Sequence, residues 1–329
     1  MQTRILGKDL KVSAVGFGCM GLSHASGTPT DKDTAVRVLR SVYEMGYTFF
    51  DTAECYTGVN PDGSESNNEE IVGEALKTIR DKVVIATKFG VHHGESGLIM
   101  DSCPETIRKS VEGSLKRLGT DYIDLYYQHR IDPKVSAEEV AETVKELIKE
   151  GKVLHWGISE ANEDYLRRAH AVCPITAIQN RYSMMARWHE NLFPVLEELN
   201  IGYVAFSPMA NGFLTAQYDK DSQFEKGTDY RSRMPQFDKD NIDKNRDLLA
   251  FIIDLARKYH ATPAQISLAW MMNKKPYIVP IPGTRKTDRA KENAGAADIV
   301  LTVNEVAAID KALNEMPMSA VFGGSPAQK

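Results

Sequence analysis

Two periodicities alternate along the chain. Short apolar runs that end on a polar residue are followed by longer stretches whose apolar positions recur every three or four residues. The first pattern predicts buried strands and the second amphipathic helices. Phe49-Phe50 ends on Asp51, Val83–Thr87 on Lys88, Tyr122–Gln128 on His129 and Val153–Ile158 on Ser159. Ala177-Ile178 ends on Gln179-Asn180, Tyr203–Phe206 on Ser207-Pro208, and Ile278–Ile281 on Pro282-Gly283-Thr284. Helical spacing predicts helices over about 32–46 (Val36, Leu39, Val42, Tyr43) and about 68–79 (Ile71, Val72, Ala75, Leu76, Ile79). Ser102-x-x-Glu105 reads as a capping box opening a helix that carries Ile107, Val111, Leu115 and Leu118, and Ser136-x-x-Glu139 opens another that stops at Gly151. Further helices are expected over about 244–259, over about 263–273 after Thr262-Pro263-x-Gln265, and after Thr302-x-x-Glu305.

At the start of the chain, residues 3–17 read as a hairpin with Gly7-Lys8-Asp9 as its turn and Val12–Phe17 as a strand. Gly16-Phe17-Gly18-Cys19-Met20-Gly21 matches G-x-G-x-x-G, but a dinucleotide fingerprint requires a helix to open at the glycines. Here a loop, Leu22–Pro29, follows, and helical spacing begins only near Asp31. The match is therefore assigned to a strand exit. Strands alternating with helices imply a parallel α/β sheet, because each return crosses over by a helix. Polar residues close nearly every apolar run, as at the carboxyl face of a barrel, whereas an open doubly wound sheet concentrates its site at one switch point. The expected fold is a TIM-type (β/α)8 barrel with an N-terminal β-hairpin and extra C-terminal helices, as one domain over residues 1–329. Residues 316–329 are expected to form a loosely held tail.

With 42% hydrophobic and 26% charged residues and a net charge of −5, the composition is that of a globular protein with no bias toward nucleic acid or membrane surfaces. The four cysteines, Cys19, Cys55, Cys103 and Cys173, are widely spaced, which argues against a disulfide framework or structural zinc and for the cytoplasm. His92-His93 lacks convergent ligands nearby, and no metal site is expected. No apolar run reaches the length of a signal peptide core or a membrane span.

The candidate chemistry lies where the runs end. Asp51 closes an apolar run and needs a cation if buried, and Lys88, closing the next run, is the best candidate. With Tyr56 just beyond Asp51, and His129 after a third run, the set suits proton transfer to a carbonyl oxygen while another agent delivers hydride. An adjacent ammonium is expected to favour the Tyr56 phenolate, Asp51 to hold Lys88, and His129 to orient a carbonyl.

Asp51-Thr52-Ala53-x-x-Tyr56, Asn68-Glu69, Ala86–Gly90, Asp124–His129, Gly157-Ile158-Ser159, Gln179-Asn180 and Ile281–Arg285 together resemble the aldo-keto reductase superfamily, from the N-terminal hairpin to about residue 316. The resemblance implies a TIM-type barrel that binds NADPH/NADP+ without a Rossmann domain. It also implies a tetrad of Asp51, Tyr56, Lys88 and His129, with Tyr56 as general acid, and a small-molecule aldehyde or ketone as substrate. By the same resemblance Ser159 and Gln179 hold the carboxamide, and Phe206 stacks on the nicotinamide. Ser207, Met209, Asn211 and Gly212 line the pyrophosphate. Thr284, Arg285 and Arg289 take the 2′-phosphate, Gly283 beside them also belongs to the cofactor site, and Glu292 and Asn293 lie near the adenine. Glu160 stands where many members have Asn, and Thr57–Asn67 is longer than the usual link, so carboxamide recognition and the substrate-side wall are left open.

Two other readings compete: a cofactor-bound regulatory subunit like the potassium-channel β subunits, and a phosphosugar-type barrel enzyme without nicotinamide. His129 argues against the first, whose members resemble an Asn-bearing version of the tetrad. Met184, Met185 and Trp188 fit either the core or the pocket wall. Residues 211–243 are a candidate lid. Substrate identity and oligomeric state are not legible.

Overall fold

Alternation along each strand decides which residues face the middle of the molecule and which face the helices. The structure, a computed structural model, describes residues 1–94 and 97–324. Eight parallel strands form one sheet: β1 (Phe17–Gly18), β2 (Phe49–Asp51), β3 (Val84–Phe89), β4 (Ile123–Gln128), β5 (Val153–Ser159), β6 (Ala177–Arg181), β7 (Gly202–Phe206) and β8 (Ile278–Pro280). Each pairs with its neighbours in sequence order. The sheet curls until its ends meet, with the Gly16 amide donating to the Pro280 carbonyl at 2.9 Å and the Gly18 amide to the Pro282 carbonyl at 3.3 Å. These bonds make a closed (β/α)8 barrel and exclude the open sheet.

Helices α1 (Lys32–Glu44), α2 (Asn68–Leu76), α3 (Pro104–Leu118), α4 (Ala137–Lys149), α5 (Glu163–Val172) and α6 (Phe193–Leu199) make the first crossovers. Between β7 and β8 run α7 (Lys239–Lys244), α8 (Arg246–Lys258) and α9 (Pro263–Lys274), and α10 (Thr287–Gly295) and α11 (Val303–Glu315) follow β8. Outward strand residues such as Phe50, Ile85, Tyr126, Ile158 and Tyr203 pack into the helix-facing core. The inward set, Phe49, Ala86, Leu125, Tyr127, Ala177, Val204 and Val279, fills the lumen. Leu6, Leu10 and Val12 join that inner cluster, so the N-terminal hairpin (Thr3–Leu6 with Leu10–Ser13) plugs the amino end of the barrel. No helix among the described residues is long and apolar enough to cross a membrane.

Several local expectations are corrected. Val12–Phe17 is not one strand: the hairpin ends at Ser13 and the barrel begins at Phe17. Ser102 does not cap α3, whose cap position is Cys103; the Ser102 amide instead donates to Asp132 Oδ2, and its hydroxyl accepts from Gln128. The helix from residue 68 ends at Leu76, because Ile79 leaves helical geometry (φ −133°) in the tight turn that follows. Thr262–Gln265 and Thr302–Glu305 do form reciprocal capping boxes. The loop 57–67 is a hairpin of Thr57–Val59 and Glu65–Asn67. Met184 and Met185 are buried in the outer core with Trp188 packed against it. Residues 317–324 are held rather than loose: the Ser319 amide and hydroxyl bond Asn245, Val321 is buried, and the Phe322 amide donates to Gln236. Residues 325–329 lie outside the described residues.

The seam between β8 and β1 depends on close backbone approach. A Cβ on Gly18 would stand 2.7 Å from the Ile281 carbonyl oxygen, and one on Gly283 would stand 2.5 Å from the Gly18 carbonyl oxygen. Gly18→Ala is therefore expected to lower the urea midpoint by an amount equivalent to about 1–3 kcal/mol, the usual cost of overpacking. An unchanged midpoint would show that the seam tolerates separation.

Candidate active site

Because inward positions recur every second residue, Asp51 follows Phe49 into the lumen, Lys88 follows Ala86, His129 follows Tyr127, and Gln179 and Arg181 follow Ala177. All arrive at the carboxyl end of the barrel. Lys88 is fully buried, and its Nζ donates to Asp51 Oδ1 at 2.6 Å, to the Thr52 carbonyl at 2.7 Å and to Tyr56 Oη at 3.3 Å. The other Asp51 oxygen accepts from Gln179 Nε2 at 2.7 Å. The Tyr56 and His129 rings meet edge to face, their centroids 5.8 Å apart. The four residues thus converge as the sequence spacing suggests.

Burial sets their protonation. It pushes the Asp51 carboxyl above the usual range, opposed by Lys88 and Gln179. Burial also opposes the Lys88 ammonium, yet Asp51 and Tyr56 outweigh it, and Lys88 stands above its ordinary value. Burial raises the Tyr56 phenol while Lys88 pulls it down, as expected of an adjacent ammonium, and the net effect leaves the resting group a proton donor. Burial, then Lys88 and Arg130, hold His129 well below the ordinary imidazole range, so its ring is neutral at pH 7.

Support comes from behind. Asn68 accepts from Thr52 Oγ1 at 2.7 Å and donates to the Cys19 carbonyl at 3.0 Å and to Ser23 Oγ at 2.7 Å. It ties the exits of β1 and β2 to α2. Glu69 is buried, taking Arg117 Nε at 2.6 Å and the Thr87 hydroxyl. Over Tyr56 stacks His24, at 6.0 Å between centroids, with His93 and Tyr230 at 5.4 and 5.5 Å from His24. Tyr230 belongs to the 211–243 segment, which folds into short turns and α7 and reaches the β1 exit through the Ser26–Asp229 bridge.

The residues expected around a dinucleotide form a rim from β5 to α10. Ser159 Oγ accepts from Arg130 at 3.0 Å. Phe206 is bracketed by the guanidinium groups of Arg181 and Arg130, at 4.8 and 6.0 Å from its centroid. After β7 the backbone turns left-handed at Ser207, Ala210, Asn211 and Gly212, with Met209 half-buried between them. Asn211 Oδ1 and Arg285 Nη2 are sealed from solvent without a partner among the described residues. Such orphaned atoms are unusual in folded proteins and fit a polar ligand along this strap. Arg285 Nε donates to the Gly21 carbonyl at 2.7 Å. Arg289 is bonded to Gln217 and lies 3.7 Å from Glu292. Thr284 Oγ1 accepts from the Lys286 amide at 3.1 Å, Gly283 lines the seam, and Asn293 is buried within α10.

Four participants were not singled out from the sequence. Arg130 follows His129 directly, and Arg181 lies two residues beyond Gln179 on the same face of β6, so period-2 counting past the last apolar residue would have found the second. His24 and Tyr230 carry no local signal, being 206 residues apart in the chain.

The profile of the Aldo/keto reductase family matches residues 14–314. A probable aldo-keto reductase from Glycine max is 40% identical over 320 residues, spanning 96% of this chain and 89% of that protein. A glycerol dehydrogenase from Gluconobacter oxydans superposes with a TM-score of 0.83 at 29% identity, covering 95% of both chains. An aldo/keto reductase from Klebsiella pneumoniae, solved with NADP and acetate, superposes at 0.72 with 26% identity, over 97% of this chain and all of that one.

Two outcomes test this geometry. Asn68→Ala strands the Thr52 hydroxyl and the Cys19 carbonyl in a dry interior, and a loss of about 2–4 kcal/mol is expected in denaturant unfolding. Glu54, half-buried against the Gly90 amide and Ser110, is pushed up to about 7 by desolvation. A raised carboxyl stabilises the fold while protonated, so its contribution is whole below about pH 4.5 and lost as pH rises through about 7. Glu54→Gln should flatten that part of the pH–stability curve, and equal slopes for variant and parent would contradict the assignment.

Proposed function

As the chain belongs to the aldo/keto reductase family, we propose that it is an NADPH-dependent oxidoreductase that reduces aldehyde and ketone carbonyls to alcohols at Tyr56. The observation that carries this reading is the chain Asp51–Lys88–Tyr56, in which one buried ammonium bridges a buried carboxylate and a half-buried phenol. NADPH, when bound, supplies the hydride.

The protein's part is proton management and orientation. Tyr56, protonated at rest, gives its proton to the carbonyl oxygen, and the negative charge left on the phenol oxygen falls on Lys88 at 3.3 Å. Asp51 and the Thr52 carbonyl fix Lys88 so that little reorganisation accompanies the transfer. His129 is neutral and polarises the same carbonyl through a hydrogen bond without competing for the proton. Ser159 and Gln179 would take the carboxamide, and Phe206 the face of the nicotinamide. Ser207, Met209, Asn211 and Gly212 would take the pyrophosphate, and Thr284, Arg285 and Arg289 the 2′-phosphate. Glu292 and Asn293 would stand by the adenine. The sealed, unpartnered Arg285 Nη2 is a donor that the phosphate oxygens would satisfy.

Tyr56→Phe should lower carbonyl-dependent NADPH oxidation by roughly 10²–10⁴-fold, the typical worth of a positioned acid, while NADPH binding, followed by fluorescence, is retained. Substantial residual turnover would refute the role. Arg285→Ala and Arg289→Ala should each raise KM for NADPH roughly 10–100-fold, from lost charge-assisted bonds, and leave KM for NADH nearly unchanged.

A further inference from the structure

We propose that Cys55 is a positioning residue that fixes the ring tautomer of His129, so that Nε2 carries the hydrogen offered to the substrate carbonyl. The inference rests on the assignment of His129 given under Proposed function. Cys55 Sγ lies 3.5 Å from His129 Nδ1, within reach of a sulfur hydrogen bond. The opposite ring atom, Nε2, has no partner among the described residues and is free for a ligand. The backbone around His129 is pinned on both sides: its amide donates to the Phe89 carbonyl at 3.0 Å, and its carbonyl accepts from Arg130 at 2.6 Å. These bonds place the ring but say nothing about which nitrogen is protonated.

A neutral imidazole has one N–H, and its position is set by the bond that the other nitrogen makes. Burial pushes the Cys55 thiol up to about 12, so the group remains S–H. An unprotonated imidazole nitrogen is a strong acceptor and a thiol sulfur a weak one. The arrangement that satisfies the stronger acceptor is therefore S–H donating to Nδ1, which leaves the hydrogen on Nε2. The opposite tautomer would face the site with a bare lone pair and repel a carbonyl oxygen. The same protonated state makes Cys55 a poor target for oxidation, since the thiolate is the reactive form. A redox role is thereby disfavoured.

The test is ¹⁵N NMR of histidine-labelled protein with NADP+ bound, alongside steady-state kinetics, for Cys55→Ala, Cys55→Val and Cys55→Ser. In the parent protein His129 should show a protonated Nε2 and an unprotonated Nδ1. Alanine and valine, one leaving space and one filling it, should both yield a tautomer mixture and lower kcat roughly three- to tenfold, the scale of one hydrogen bond. KM for NADPH should not move. Serine, which keeps a donor, should restore most of the parent tautomer and rate. A parent His129 with Nδ1 protonated, or Ala and Val variants with the parent tautomer and kcat, would overturn the proposal. The resting-state spectrum does not depend on turnover. If Tyr56→Phe keeps its activity, the enzymatic reading fails while the Cys55–His129 bond is still tested.

Discussion

An ammonium with no exposure to solvent is the constraint on which the site depends. A buried charge costs several kcal/mol unless its partners are well placed, and Lys88 meets this with three acceptors, each from the segment between the end of β2 and Tyr56. That segment must pass directly over β3. Asp51 in turn spends its second oxygen on Gln179, from the far side of the lumen. The ion pair thus joins adjacent strands β2 and β3, and the Gln179 bond fastens it to the opposite wall of the barrel. The phenol that shares the ammonium cannot drift without leaving a charge unsatisfied.

Closure of the sheet makes this geometry possible. The glycines at 16, 18 and 283 let β8 and β1 approach to hydrogen-bonding distance, and the apolar hairpin seals the other end. With the lumen filled by Phe49, Leu125, Tyr127 and Val204, water is excluded from below, and the polar residues collect in one layer at the open end. In that layer burial raises Tyr56 and lowers His129, giving a protonated donor beside a neutral imidazole. A protonated phenol and a neutral imidazole side by side follow from the same low dielectric.

The rim beyond this layer is cationic. Arg130 and Arg181 flank Phe206, and neither has an acidic partner within 4.0 Å among the described residues. Burial works to raise the nearby Glu160, but His189 and the Arg181 amide, with a smaller contribution from Arg130, hold it below its usual value. Burial lowers Arg181 to about 10, which leaves it charged at neutral pH. Glu160, at a left-handed position, accepts from the Arg181 amide and lies 3.7 Å from His189. The residue noted as a departure in the sequence thus acts as a brace between β5 and β6.

The sequence by itself determined the barrel, the order of its strands and the convergence of Asp51, Lys88 and His129. It could do so because strand alternation is local: a polar residue two positions beyond an apolar inward one faces the same lumen. Tyr56 was legible for the same reason, being held by the short turn after β2. Contacts between distant segments were decided only in three dimensions. The Cys55–His129 bond, the stacking of His24 on Tyr56 with Tyr230 behind it, and the anchoring of residues 317–324 depend on loop paths that no periodicity encodes. The balance at Tyr56 also belonged to the tertiary structure: Lys88 pulls the phenol down, and burial, a property of the assembled barrel, outweighs it and raises the group.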